Sequence, residues 1–346
     1  MMTPAKKMRD SRALRLALVG SDTLLGREIK DALDAISGSV SIENFPANGE
    51  GGFGEEEGEA VYRQGLSSEA LASTEVVIVA GTQAGAQKAY ELSKAEALPR
   101  NLIDATGLLE HQPEARISAP LLDSATAGAR SGWLTVVAHP VSAAIALLMT
   151  KLSKLQPVER SVFHVFEPAS ERGGQGIAEL QQQTSSLLAF RNLDKKIFDA
   201  QLSFNLLPAY GEDAPVKLSS VEQQIEMHLA TLLARHGGSG VPAAMPSLRV
   251  IQAPVFHGYS VSAWIELSGN VDPGTVAQSL ASAQIEIRSG DEESPTNVGV
   301  TGQSGVIVGD IRVDRNNARA VWLWIVIDNL RLRADTVRDL LPLDRE

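Results

Sequence analysis

Apolar residues first cluster at Leu14–Val19 (LRLALV), a run closed by Gly20, after which Leu25, Ile29, Leu33 and Ile36 recur at helical spacing. A strand, a glycine turn and a helix predict the opening of a βαβ unit. Val40–Phe45 reads as a second strand. Pro46–Ala60 (PANGEGGFGEEEGEA) then has no periodicity and is rich in Gly and Glu, which predicts a mobile acidic loop. A strand at Val76–Ala80, a helix over Ala84–Glu96 and a strand at Asn101–Asp104 follow. Alternation of apolar strands with helices predicts a parallel, doubly wound sheet.

The pattern changes near Trp133. Leu134–Ala138 is a short strand broken by His139-Pro140, and Ile145, Leu148, Met149, Leu152 and Leu155 form one stripe of the next helix. Ser142 stands just before Ala143–Leu155 and is expected to cap it. Longer strands are predicted at Val162–Glu167, Arg249–Phe256, Ser260–Leu267, Val306–Val313 and Ala318–Asp328, with helices at Gly176–Ala189 and Val221–Ala234. This half reads as an α+β domain with a mixed or antiparallel sheet. In AVWLWIVID, Trp322, Trp324 and Val326 share one face, and Val321, Leu323, Ile325 and Ile327 the other. A strand apolar on both faces needs cover on both. Helices supply one cover, and a second subunit is the candidate for the other. The last segment, from Asp328, returns to helical spacing.

Composition narrows the chemistry. With 31 Lys and Arg against 42 Asp and Glu, the net charge is −11, which argues against a nucleic-acid surface. No apolar run approaches the roughly 18 residues of a membrane span, and the basic start lacks a separate apolar signal core, so a cytoplasmic protein is expected. The cysteine count is zero. That removes disulfides, iron–sulfur clusters, thiolate zinc sites and every cysteine nucleophile; no metal is expected.

Five segments, in order, resemble the aspartate-semialdehyde dehydrogenase family. Gly20-Ser21-Asp22-Thr23-Leu24-Leu25-Gly26 is similar to its GxTGxVG cofactor loop, and VVAHPVSAAIALL (Val136–Leu148) to its ANPNCST segment. FEPASERGGQGIAELQQQT (Phe166–Thr184) resembles YQAVSGAGxxGxxEL, and IQAPVFHGYS (Ile251–Ser260) resembles VRVPVFxGHS. VIVGDIRVD and VWLWIVIDNLR, within Val306–Arg331, resemble the closing strands and DNLRKGAA. The resemblance implies an N-terminal Rossmann-like NAD(P)-binding domain over residues 1–138, joined by a C-terminal helix at 329–346. It also implies a catalytic and dimerisation domain over 139–328 with a mixed sheet. It implies reduction of an acyl phosphate to an aldehyde with NADPH, through a cysteine thioester, a histidine acid–base and substrate-binding arginines.

Position by position, this chemistry is missing. The nucleophile position falls on Ser142, a weak nucleophile unless a base lies within hydrogen-bond reach. The base position falls on Tyr259, which stays protonated near neutrality. His257 lies two residues away on the same strand face and reads as a local hydrogen-bonding histidine, with relocated base as the sharper alternative. The asparagine before the shared proline is His139, but nothing supplies an orienting group for a His139–Ser142 dyad. The glutamine position is Glu167, the carboxylate-binding arginine is Gln252, and the phosphate-binding arginine aligns with Glu110. Glu226 falls near the family's substrate-binding glutamate. Losing two cations and gaining two anions opposes a doubly anionic substrate.

The cofactor loop is altered too. Gly20, Leu25 and Gly26 remain, but Thr23 replaces the glycine that lets the pyrophosphate approach. Glu43 follows at the distance of a ribose-binding acid, which favours NAD over NADP if either binds. The first reading is a homodimeric, non-catalytic homologue, with an active paralogue as a further candidate partner. The alternative is an NAD(P)-dependent oxidoreductase of altered chemistry, with Tyr259 as proton donor.

Overall fold

A computed structural model describes residues 13–56, 59–95, 100–122, 132–236, 245–290 and 292–343. The chain opens with β1 (Leu14–Val19), α1 (Leu24–Asp34) and β2 (Val40–Phe45), then β3 (Gly52–Glu56) and β4 (Glu59–Arg63). It continues through β5 (Val76–Val79), α2 (Gln83–Lys94), β6 (Asn101–Asp104), β7 (Ala115–Ser118) and β8 (Leu134–Val137). A parallel six-stranded sheet results, in the order β2-β1-β5-β6-β8-β7. Its central strand β5 (VVIV) is buried along its whole length, as a strand covered on both faces must be.

The segment expected to be a loop within Pro46–Ala60 is instead largely a hairpin. β3 and β4 pair antiparallel from Gly52↔Arg63 to Glu56↔Glu59, and the Phe53 and Tyr62 rings meet edge to face at 5.4 Å. The glycines and glutamates erase the apolar alternation by which strands are read, while the backbone ladder forms regardless of it. Glu57 and Gly58 of the expected loop, and Glu96 at the expected end of the second helix, lie outside the described residues.

The second half runs α3 (Pro140–Leu155), β9 (Val158–Glu167), α4 (Gly173–Leu188), α5 (Leu218–His236), β10 (Ser247–Gln252) and β11 (Tyr259–Leu267). It closes with α6 (Pro273–Leu280), β12 (Ile285–Ile287), β13 (Val306–Asp314), β14 (Asn317–Ile327) and α7 (Asn329–Leu340). The mixed sheet has the order β10-β9-β11-β14-β13-β12. β10 stops at Gln252 rather than at Phe256, because the chain turns over Ala253–Gly258 to enter β11 antiparallel to β9. Val321, Leu323, Ile325 and Ile327 of β14 join Phe163, Val165, Val261 and Ala263 in one core with the apolar stripe of α3. Trp322 and Trp324 are only half-buried.

α7 leaves the second sheet and returns to the first. Ala334, Val337 and Leu340 share a core with Leu16, Ile29 and Leu33. Among the described residues, no helix is long and apolar enough to cross a membrane.

Candidate functional site

A cleft of about 1180 Å³ runs between the two halves. On the first side it is lined by the turn after β1 (Asp22–Leu25), the turn after β5 (Ala80–Gln83) and the loop after β6 (Ala105–Leu108, Glu110, His111). β1 and β5 lie side by side where the strand order reverses, the place where open α/β sheets leave a crevice. The other wall comes from His139, the start of α4, the first turns of α5, and Leu330 and Arg333 of α7. A second cavity of about 430 Å³ shares Asp22 and Thr82 with it and is closed by Phe53 and Arg63 of the hairpin.

The glycine turn is built for close approach of backbone. Gly20 has φ +94°, and a Cβ there would lie 2.5 Å from Gly81 N; one on Gly26 would lie 1.9 Å from Gly20 O. Thr23 turns its hydroxyl inward rather than into the cleft. Its Oγ1 donates to the carbonyl region of Gly20 and Ala80, at 2.8 Å each, and accepts from Gly26 N at 2.9 Å, capping α1. The N–H groups of Leu24 and Leu25 are left uncapped where these residues line the cleft. The turn therefore fits a dinucleotide's phosphates at two N–H groups rather than three. Glu43 is exposed on β2 and lines neither cavity. Asp22 is the acid that lines both, held at 3.3 Å by Arg63 of β4.

Ser142 is not a cap. It lies inside the first turn of α3, fully buried, and its Oγ donates to Ile225 O at 2.8 Å, pinning α3 to α5. The cap is His139, whose Nδ1 accepts from Val141 N at 3.3 Å, Pro140 having no N–H to offer. A ring nitrogen that accepts carries no proton, so the neutral ring bears its proton on Nε2. That nitrogen lies 3.3 Å from the Tyr259 hydroxyl, which in turn donates to Glu167 Oε2 at 3.2 Å. The histidine thus pairs with Tyr259, not with Ser142. Of these groups only His139 lines the cleft; Ser142, Glu167 and Tyr259 are fully buried behind it.

Glu167 is not presented to a ligand as an unpaired anion. Its Oε1 accepts from Arg172 Nη2 at 2.6 Å and from the Tyr210 hydroxyl at 3.1 Å. Tyr210 also reaches Gln252 Oε1 at 2.6 Å, and Gln252 Nε2 donates to Glu167 O and Ala253 O. A second buried pair lies beside the first: Glu171 takes both Arg333 Nη1 and Nη2, at 2.8 and 2.9 Å, and Asn329 Nδ2 at 2.7 Å. Sequence reasoning missed Arg172, Glu171 and Arg333, since Glu171 and Arg333 lie far apart in the chain. His257 is half-buried in the turn before β11 and makes no hydrogen bond among the described residues. Glu226 is exposed on α5 and does not line the cleft.

Burial pushes the Tyr259 hydroxyl well above its usual value, and the carboxylates of Glu167 and Glu171 push the same way, so it stays protonated. Burial pushes the His139 ring well below the usual histidine range, with Arg333 adding to this. Burial raises the Glu171 carboxyl, but the Arg333 guanidinium outweighs it and holds the group at about 2. Both shifts make the unfolded chain bind more protons than the folded one as pH falls. The His139 contribution is lost as pH drops below about 6.5, its unfolded value, and that of Glu171 between about 4.5 and 2. Urea unfolding is therefore expected to show lower stability at pH 5 than at pH 7.5. His139→Asn should flatten that slope; an unchanged slope would show that another group sets it.

Comparison with known proteins follows the same outline. The family described as "Semialdehyde dehydrogenase, dimerisation domain" matches residues 152–332. An aspartate-semialdehyde dehydrogenase of Rickettsia bellii is 30% identical, over 57% of this chain and 57% of that one. The chain thus spans little more than half the length of that relative. A USG-1 protein homolog of Azotobacter vinelandii is 28% identical over 93% of this chain and 94% of its own. The structure of a probable aspartate-semialdehyde dehydrogenase from Pseudomonas aeruginosa superposes with a TM-score of 0.76 at 25% identity, covering 93% of this chain and 95% of that one.

Proposed function

Because the chain belongs to the semialdehyde dehydrogenase family, we propose that it is a cytoplasmic, homodimeric member that keeps the ligand cleft and does not perform acyl transfer. One observation carries this reading: the side chain at the nucleophile position, Ser142, is fully buried, and its hydroxyl proton is committed to Ile225 O. Attack on a carbonyl needs a lone pair facing the substrate and a base to take the proton. Ser142 has neither, since His139 is turned toward Tyr259. Incubated with aspartate semialdehyde, phosphate and either nicotinamide dinucleotide, the pure protein should reduce cofactor no faster than a protein-free control. A kcat in the usual range of about 1–1000 s⁻¹ would overturn the reading.

The absence of cysteine makes Ser142→Cys a clean probe. Its single thiol should resist a disulfide reagent in the native protein and titrate as one equivalent in denaturant. Rapid native reaction would place the position in the cleft after all.

A nicotinamide dinucleotide, when bound, supplies or accepts a hydride. Here the residues that would hold it are the N–H groups of Leu24 and Leu25, with Gly20 and Gly26 allowing close approach. We assign NAD rather than NADP, because acids Asp22 and Glu50 line the second cavity, with Arg63 and Lys88 already paired to them. NAD at a hundred times its Kd should stabilise the protein by about 2.7 kcal/mol, with a smaller effect from NADP at equal concentration. The reverse order would refute the assignment.

The dimer is proposed on the half-exposed Phe166, Trp264, Trp322 and Trp324 of β9, β11 and β14, with a second copy covering them. Sedimentation at micromolar concentration should give a dimer. A monomer that associates only with an active paralogue would replace homodimer by heteromer. A reductase using Tyr259 as proton donor is the weaker reading, because that hydroxyl lines neither cavity.

A further inference from the structure

The loop after β6 presents one half-buried acid to the cleft, and among the described residues one of its carboxylate oxygens accepts no hydrogen bond. Asp104, at the end of β6, shapes this loop: its Oδ1 accepts from Thr106 N and Gly107 N, and its Oδ2 from Leu109 N at 2.8 Å. Glu110 follows, its side chain only 8% exposed. Two side chains one turn apart on α5 orient it, Gln224 Nε2 donating to Oε2 at 2.7 Å and His228 Nε2 lying at 2.8 Å from the same oxygen.

His228 brings no formal charge in this arrangement. Its Nδ1 accepts from His139 N at 2.8 Å and so bears no proton, which makes the ring neutral with Nε2–H facing Glu110. Among the described residues, the other carboxylate oxygen, Oε1, has only His111 Nε2, 3.6 Å away on a side chain that is 84% exposed. An ionised carboxylate with so little of its side chain exposed is commonly matched by a cation. Burial raises the Glu110 carboxyl, but hydrogen bonds from His228 and Gln224 prevail and lower it, so it is ionised at neutral pH.

The surroundings restrict the ligand further. Leu108, Val216 and Met227, all partly exposed, line the same cleft as Glu110 and offer contact to an alkyl chain. Of the cations that line the cleft, Arg172 and Arg333 are already paired with Glu167 and Glu171, and Arg27 stands exposed at the other wall on α1. We propose that this end of the cleft binds a ligand bearing a primary ammonium on a short aliphatic arm, with Glu110 Oε1 as the acceptor. The proposal rests on the reading that this cleft does not receive an acyl phosphate, and it reverses the sign of the charge recognised there.

The test uses the whole protein and simple probes at low ionic strength. n-Pentylamine should raise the melting temperature saturably, whereas n-pentanol and pentanoate should not. Glu110→Gln should weaken the amine response at least about tenfold, the loss of one charge-assisted contact, and leave the NAD-induced shift intact. Glu110→Arg should lose the amine response and gain one to pentanoate. Equal shifts from amine and alcohol in the unaltered protein, or a pentanoate shift exceeding the amine shift, would overturn the proposal even if neither variant folds. The two readings fail separately: turnover of aspartate semialdehyde sinks the proposed function, whereas a missing amine response without turnover sinks only this one.

Discussion

Replacing Arg172 by methionine is expected to lower the unfolding free energy by about 3–5 kcal/mol, measured by urea denaturation at pH 7. The guanidinium lies 2.6 Å from Glu167 Oε1, with side-chain exposures of 14% and 0%. Removing it leaves a carboxylate in a fully buried site whose remaining side-chain hydrogen bonds, among the described residues, come from the hydroxyls of Tyr210 and Tyr259. Hydroxyls satisfy lone pairs but do not neutralise the charge. The double variant Arg172→Met, Glu167→Gln removes charge and countercharge together, and most of the lost stability should return. If the single variant costs less than about 1 kcal/mol, the pair behaves as an exposed one and the argument from burial fails.

Gly26→Ala is expected to be comparably severe, at least about 3 kcal/mol, because its Cβ would stand 1.9 Å from Gly20 O. The obstacle is backbone on both sides, and neither can rotate aside as a side chain would. Thr23 worsens the conflict, since its hydroxyl ties Gly26 N to Gly20 O and Ala80 O. The variant should therefore lose NAD-induced stabilisation together with fold stability. A soluble Gly26→Ala protein with unchanged melting temperature would mean that the turn is looser than described.

The strands β2 and β6 were legible to the residue as Val40–Phe45 and Asn101–Asp104, because short stretches with β-branched or aliphatic residues are bounded there by breaks in the pattern. The hairpin β3–β4 was not, since glycine and glutamate carry no period. α6, a two-turn helix opened by Asp272 and Pro273, was equally invisible beneath a short apolar pattern. In the candidate site, the missing thiol and the unusual Glu167 and Glu110 could be read directly. Their partners could not: Arg172 stands within the segment Phe166–Thr184 without a signal of its own, and His228 and Gln224 are two polar residues within the helix expected at Val221–Ala234. The i, i+4 spacing of that pair was a usable signal, although only the fold brings Glu110 to it. The serine misled for a related reason. A serine after proline at a helix start suits a cap, and the competing acceptor, Ile225 O, is on another helix.

The return of α7 to the first sheet sets an order on synthesis. The strands β1 to β8 leave the ribosome nearly two hundred residues before Ala334, Val337 and Leu340 exist to cover Leu16, Ile29 and Leu33. Until α7 has been made, the nascent first sheet carries a bare oily flank. Messages cut short before α7 should yield aggregates rather than a free-standing lobe.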